Sequence, residues 1–185
     1  VDGFHSKQQK DLLEKQNAKN ELGFLKSQIN PHFLYNVLNT IHSYINSNNP
    51  NAAKAVIRLS DIMRYMLSDT NKKLITLQEE VDYLNSYIEL QSYRLEKPDF
   101  VEFKIVGNYK MTLIPPLLLI PFVENAFKHG KKAVDPPGIR IFLEVSNEKL
   151  TFSLTNFINL KPEKLSRQGE AIGLTNAKRR LQLLY

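Results

Sequence analysis

The sequence contains no cysteine and no long uninterrupted apolar run. Without cysteine the chain has neither disulfides nor thiolate metal ligands, which fits a reducing compartment. No segment approaches the roughly 18 apolar residues that cross a bilayer. Residues 1–10 also lack the apolar centre and cleavage pattern of a signal peptide. We therefore expect the chain as given to be soluble.

Positive charge exceeds negative charge, with 25 Lys and Arg against 19 Asp and Glu, a net charge of +6 and a pI near 9.4. A basic chain invites a nucleic-acid interpretation, because clustered cations neutralise phosphates. Here the cations are scattered singly or in pairs, and no groove-reading motif accompanies them. We expect no nucleic-acid partner; a basic surface that meets nucleotide phosphates or an acidic protein explains the charge equally well.

The N-terminal half has helical periodicity. A polar segment over 11–20 reads as an exposed helical connector, and from Leu25 onward apolar residues follow two stripes of one helix. Such a wide apolar face needs several helical neighbours. One stripe comprises Ile29, Phe33, Val37, Ile41 and Tyr44, and the other Leu34, Leu38 and Ile45.

A second helix is predicted to begin at Asn49 as the N-cap, with Pro50 at the first helical position. Its predicted apolar face comprises Ala52, Ala55, Val56, Leu59, Met63 and Met66. The short polar stretch before it makes the two helices a hairpin. A hairpin buries little surface alone, so we expect a homodimer with a four-helix bundle.

A third helix starts at a Ser/Thr-x-x-Glu capping box formed by Thr76 and Glu79, continues through Val81, Leu84, Ile88 and Leu95, and ends before Pro98. After this helix the apolar residues alternate with polar ones instead of recurring at helical spacing. Strands are predicted over Phe100–Val106, Ile139–Val145 and Leu150–Leu154, with Asn147 and Glu148 as a hairpin turn between the last two. The fold class is therefore α+β.

His32 is the first candidate for chemistry. With Asn36, Asn39 and Ser43 it forms a narrow polar stripe between the two apolar ones, which exposes the imidazole. A neutral imidazole nitrogen is a competent nucleophile toward phosphorus. Taken alone, such a histidine is more often an ordinary surface or hydrogen-bonded core residue than a nucleophile.

Two further segments suggest phosphate binding. Asn125, Lys128 and His129 share one helix face, so an amide oxygen for Mg²⁺ and two phosphate-binding groups converge; an ordinary polar helix end capped by Gly130 would look the same. The glycine of Ala171–Asn176 lies at a helix start, where backbone amides can meet phosphate oxygens, although a plain loop before a helix is the alternative. A polar, aperiodic loop over 157–170 precedes it.

These segments resemble those of one family. Leu25–Asn39 resembles the acceptor-histidine box of LytS/YehU-type sensor histidine kinases. The stretch PPLLLIPFVENAFKHG, residues 115–130, resembles their N box, and GLTNAKRRL, residues 173–181, resembles their G box. The order and spacing match as well.

The resemblance implies a helical linker over 1–24, a dimerisation and phosphoacceptor region over 25–71, and a Bergerat-type α/β-sandwich ATP-binding domain over 72–185, C-terminally incomplete. ATP and Mg²⁺ are the implied cofactors. The implied roles are His32 as phosphoacceptor, Asn125 as Mg²⁺ ligand, and a nucleotide site completed by Lys128, His129, Asn156, Gly173, Leu174, Asn176 and Arg180. Asn156, in the adenine-reading position, stands where many relatives have Asp, and Ala171 replaces the first G-box glycine.

The implied function is that of a two-component sensor kinase, which phosphorylates its own histidine and passes the phosphoryl group to an aspartate of a response-regulator receiver domain. Its place is the cytoplasmic side of the bacterial inner membrane, with the parent protein anchored upstream. A carboxylate that activates water would fall one turn before Asn125, at Pro121, which disfavours an ATPase. An ATP hydrolase or switch of the same superfamily and a non-catalytic dimeric adaptor remain the alternatives. Asn36, one turn after His32, is expected to position water for dephosphorylation.

Overall fold

The computed structural model describes residues 31–70, 72–95, 97–146, 149–158 and 181–182. Within these ranges, four α-helices and two small sheets give the α+β class that the sequence predicts. None of the helices in these ranges is long and apolar enough to cross a membrane. In chain order the elements are α1 (Pro31–Asn46), α2 (Asn51–Ser68), β1 (Ile75–Thr76), α3 (Leu77–Ser92), a 3₁₀ turn (Pro98–Phe100), β2 (Val101–Gly107), β3 (Leu113–Ile114), α4 (Ile120–His129), β4 (Ile139–Ser146) and β5 (Lys149–Asn156).

Helices α1 and α2 form the predicted hairpin. Of the first apolar stripe, Phe33, Val37 and Ile41 are buried, while Ile29 lies outside the described residues. α2 begins at Asn51 with Pro50 in the cap position, one residue later than predicted. The Asn49 side chain nevertheless accepts a hydrogen bond from the backbone N–H of Asn51 at 2.9 Å, which satisfies one free donor of the α2 start.

The buried face of α2 differs from the predicted one. Ala55 and Met66 are buried as expected, but Val56 is 49% exposed. The sequence reading missed Ile62 and Tyr65, which are buried. The reason is that α2 packs against α3 as well as α1, so its core stripe is rotated toward the side that α3 covers.

Helix α3 lies at the centre of the fold, and its start and end are both defined by hydrogen bonds. Its first turn has the predicted capping box, in which the Glu79 carboxylate accepts from the backbone N–H of Thr76 at 2.7 Å while the Thr76 hydroxyl oxygen accepts from Glu79 N–H at 3.3 Å. The helix ends at Ser92, so the expectation that it includes Leu95 is wrong. The backbone tightens there, since Leu95 N–H donates to the carbonyl of Ser92, three residues back.

The larger sheet has the strand order β2-β4-β5. β2 and β4 are parallel with Val101 opposite Ile139, and β4 and β5 are antiparallel with Ser146 opposite Lys149. The predicted turn residues between them, at 147–148, lie outside the described residues. Parallel pairing requires a crossover connection, and α4 lies within the crossover from β2 to β4. The sheet thereby positions α4 against its face.

Candidate functional site

The phosphoacceptor candidate lies in the first turn of α1. His32 is exposed, as the polar stripe predicts, and Asn36 lies one turn further along the helix. The Asn36 amide nitrogen is 3.1 Å from Nδ1 and 3.4 Å from Nε2 of the His32 ring. The two side chains therefore touch directly.

This contact bears on which imidazole nitrogen can react. A carboxamide rotated by 180° presents its oxygen instead of its nitrogen to the same atom. As placed, the Asn36 amide nitrogen faces Nδ1 and can donate to it; with the amide rotated, the Asn36 oxygen instead accepts from a proton on Nδ1, and Nε2 is then the basic nitrogen of the His32 ring. Asn36 thus lies where it can select the tautomer whose outer nitrogen is nucleophilic.

The second group of candidates lies on α4. Val123 and Ala126 are fully buried, and the ring of Phe122 lies 5.9 Å from that of Phe152 in β5. With this side fixed to the core, the opposite side of the helix presents the polar residues. Asn125 and His129 are half-buried and Lys128 is exposed. The helix that the spacing predicts is present, and the three residues lie three and four positions apart on it.

A buried carboxylate holds the start of this helix in place. Glu80 of α3 is fully buried and accepts hydrogen bonds from the backbone N–H groups of Leu117 and Leu119, each at 2.9 Å, and from the hydroxyl of Tyr65. Burial raises the pKa of Glu80, and hydrogen bonds from Tyr65 and from the backbone of Leu119, Leu117 and Leu118 oppose that rise. The carboxylate of α3 therefore binds the segment that leads directly into α4. The sequence does not predict this role, because an acidic residue in the first turn of a helix is usually explained by its favourable interaction with the helix dipole.

The far end of α4 meets the end of β5. Asn156 is the last residue of that strand, and its Nδ2 is buried without a hydrogen-bond partner among the described residues. A Cβ added to Gly130 would lie 2.4 Å from the carbonyl oxygen of Ala126 and 3.4 Å from Nδ2 of Asn156. Glycine is required at this close approach. The structure thus brings Asn156 to the helix end that carries Lys128 and His129, where its buried amide nitrogen has no hydrogen-bond partner in the part of the chain that the structure describes.

An unpaired buried amide costs about 1–3 kcal/mol, so a planar ligand that hydrogen-bonds to it would be favoured there. A nucleobase carries hydrogen-bonding atoms along its edge that could pair with this amide. The described residues contain no cluster of three or more potential metal-ligating His, Asp or Glu residues. Mg²⁺ commonly binds one or two protein oxygens and takes its other ligands from water and phosphates, so the single amide oxygen of Asn125 fits that chemistry. The remaining site candidates, Gly173, Leu174, Asn176 and Arg180, lie outside the described residues.

Comparison with known proteins identifies the family. The sequence model described as "Histidine kinase" matches residues 20–98, the stretch that contains His32 and all of α1, α2 and α3. The chain is 31% identical to a "Sensor protein LytS" of Staphylococcus haemolyticus over 89% of its length. The chain belongs to the LytS-type histidine kinases. An alignment over that share of the chain necessarily includes both His32 and Asn125.

Two further relatives agree with this identification. A "Sensor protein LytS" of Oceanobacillus iheyensis is 33% identical over 75% of the chain, and a "Sensor histidine kinase BtsS" of Escherichia coli is 34% identical over 61%. The chain spans 30%, 23% and 20% of the length of the three relatives. It is therefore similar to only a part of each of these longer sensor proteins.

Proposed function

We propose that this chain is the catalytic region of a two-component sensor kinase, which transfers the γ-phosphoryl group of ATP to Nε2 of its own His32. The observation that carries the proposal is the pair His32 and Asn36: an exposed imidazole on a helical polar stripe, with an amide 3.1 Å from Nδ1. His42 has a similar contact with Asn46, so what distinguishes His32 is its place in the segment that resembles the acceptor-histidine box of the family.

The polar face of α4 supports ATP as the donor. Asn125 would bind Mg²⁺, which offsets charge on the phosphates when bound, and Lys128 and His129 would contact phosphate oxygens. Asn156, with its unpaired buried Nδ2, would contact the adenine edge. Gly173, Leu174, Asn176 and Arg180 would complete the site, as the family resemblance implies.

The transfer itself needs little covalent chemistry from the protein. The Nε2 lone pair of His32 forms the P–N bond while the bond from the γ-phosphorus to the bridging oxygen of ADP breaks. The Nδ1 proton stays on the ring, where the Asn36 oxygen can accept its hydrogen bond. Hydrolysis is disfavoured because Pro121, one turn before Asn125 in the first turn of α4, has no group that could activate water.

We propose that the active unit is a homodimer. The outer faces of α1 and α2 expose large apolar side chains next to the buried stripe, with Leu38 51% and Ile45 58% exposed on α1, and Val56 49% and Leu67 62% exposed on α2. Two copies that pair these faces would form the four-helix bundle. The phosphoryl group would then pass to an aspartate of a receiver domain on the cytoplasmic side of the membrane.

Incubation with γ-labelled ATP tests the proposal. We expect an acid-labile, alkali-stable phosphoprotein, with the label on His32 in mass spectrometry under non-acidic conditions. His32→Gln should eliminate it while Mg-ATP binding, measured by calorimetry, is unchanged. Label on His42 or His129 would contradict the assignment, free phosphate alone would indicate an ATPase, and neither product would indicate the adaptor.

Asn36 allows a finer test. Because its amide contacts the ring, it can also hold water beside the phosphorylated imidazole, so Asn36→Ala should permit phosphorylation and slow the loss of the label. Asn46 makes a similar contact with His42, at 3.3 Å from Nε2, and serves as the matched control. If Asn36→Ala and Asn46→Ala retain the label equally long, Asn36 has no role in dephosphorylation.

A further inference from the structure

Three aromatic rings form a continuous contact between the helix that carries His32 and the helix that carries Asn125. The Phe33 ring of α1 stacks on Tyr87 of α3, with centroids 4.8 Å apart and an interplanar angle of 23°. Tyr87 also meets Phe127 of α4 edge to face, at 6.1 Å and 71°. The Tyr87 ring therefore separates the two functional helices by a fixed spacing.

The two outer rings are direct sequence neighbours of the functional residues. Phe33 follows His32, and Phe127 precedes Lys128. Both belong to helices, where the backbone transmits a displacement of one side chain to the next residue. A change in the ring spacing would consequently change the separation between the acceptor imidazole and the phosphate-binding face.

The Tyr87 ring contributes packing rather than proton transfer. Its side chain is only 3% exposed, and Gln91 donates a hydrogen bond to its hydroxyl at 2.9 Å. Burial raises the pKa of this hydroxyl well above its ordinary value, with the nearby Glu124 carboxylate adding to the rise. Tyr87 is therefore a neutral phenol at physiological pH. Close-packed aromatic contacts of this kind resist compression and have few alternative arrangements.

From this contact we infer that Tyr87 is a positioning residue for phosphoryl transfer, whose ring holds the His32-bearing turn of α1 and the Asn125-bearing helix α4 of the same chain at the transfer-competent separation. The inference rests on the proposed kinase function and deepens it. Transfer depends steeply on the alignment of nucleophile and phosphorus, whereas the proposed nucleotide contacts lie on α4, at the end of β5 and in residues 173–180, and none of them is made by Tyr87. Loss of the Tyr87 ring should accordingly slow transfer and spare nucleotide affinity.

The experiment measures the rate of phosphohistidine formation against ATP concentration for Tyr87→Leu and Tyr87→Phe. We expect Tyr87→Leu to lower the rate at saturating ATP at least about tenfold, with KM for ATP within about twofold of the unchanged protein. Tyr87→Phe retains both ring contacts and should stay within about threefold in rate. Rescue by Phe distinguishes ring spacing from a function of the hydroxyl.

Tyr93 supplies the matched control. It is a tyrosine at the end of the same helix whose ring lies 5.7 Å from that of Tyr44 in α1, so it makes a similar contact in the same helix pair. This contact lies more than two helical turns from Phe33, near the opposite end of α1. Tyr93→Leu should therefore leave the transfer rate within about twofold.

Three outcomes would overturn the inference: an unchanged rate in Tyr87→Leu, an equal loss in Tyr93→Leu, or a parallel loss of ATP affinity measured by calorimetry. Should Tyr87→Leu not fold, Phe33→Leu removes the same stack from the α1 side and must show the same fall in rate without a change in KM. Failure of the proposed function is distinguishable, because the unchanged protein would then form no phosphohistidine at all.

Discussion

Glu80→Ala should lower the free energy of unfolding by more than substitution of a residue in the first turn of a helix usually does. The carboxylate accepts from the Tyr65 hydroxyl and from the backbone N–H groups of Leu117 and Leu119. Leu117 is half-buried and its N–H also donates to the Tyr65 hydroxyl oxygen at 3.2 Å, so two buried donors, Tyr65 and Leu119, lose their acceptor outright. Each buried donor left without a partner costs about 1–3 kcal/mol. The loss should therefore be at least about 2 kcal/mol, which lowers the melting temperature by roughly 4–8 °C for a domain of this size.

Glu80→Gln separates the acceptor function from the charge. A glutamine oxygen can still accept from Tyr65 and Leu117, and its amide nitrogen then faces the Leu119 N–H, so about one donor is lost. We expect roughly half the destabilisation of the alanine variant, about 1–2 kcal/mol. Asp82→Ala is the control on the same helix, because Asp82 is exposed and should change the free energy of unfolding by no more than about 0.5 kcal/mol.

Urea unfolding followed by circular dichroism, at one fixed protein concentration, measures all three variants. Hydrogen exchange adds a local readout, since the amides of Leu117 and Leu119 should lose protection in both Glu80 variants. If Glu80→Ala costs less than about 1 kcal/mol, the three donors do not depend on this carboxylate and the reasoning fails. Equal losses in the alanine and glutamine variants would show that the charge, rather than the acceptor oxygens, stabilises the start of α4.

Three further predictions concern other parts of the chain. Asn125→Asp should abolish Mg-ATP binding in calorimetry with an unchanged circular dichroism spectrum, because a negative charge replaces a neutral oxygen beside the phosphates; retained affinity would refute the assignment. Thr76→Ala should cost about 1 kcal/mol of unfolding free energy at neutral pH. Since hydrogen bonds from Thr76 lower the pKa of Glu79, that difference should shrink as the pH falls through the lowered value. Leu38→Asp should yield a monomer in sedimentation at micromolar concentration while Asn39→Asp, on the polar stripe, stays dimeric; a compact monomer of the unchanged chain would exclude the bundle.

The sequence predicts the parts of the fold that depend on local rules. The capping box at Thr76 and Glu79 lies where the Ser/Thr-x-x-Glu spacing predicts it, because each side chain satisfies a backbone donor three residues away. The buried stripe of α1 and the polar face of α4 likewise follow from helical spacing alone. Neither requires knowledge of a distant segment.

The parts that the sequence does not predict depend on neighbours from elsewhere in the chain. Val56 and Ile62 have similar hydrophobicity, and only the position of α3 decides that Val56 is exposed and Ile62 buried. Glu80 is a buried acceptor because residues 117–119 approach it from 37 to 39 positions away. The position of the Tyr87 ring depends on its contacts with Phe33 and Phe127, which lie on two other helices. Pattern reading of a single segment contains none of this information.

The placement of α4 inside the β2-to-β4 crossover also determines an order of events. The α1–α2 hairpin closes through a turn of a few residues, whereas the parallel pairing of Val101 with Ile139 must close a much longer connection. Closing the longer connection costs more chain entropy and is slower. During synthesis the hairpin leaves the ribosome first, so in the proposed dimer two nascent chains could meet through their helical hairpins before either has completed the proposed nucleotide site. Association would then precede catalytic competence, and a newly made kinase would pass through a paired but chemically silent stage.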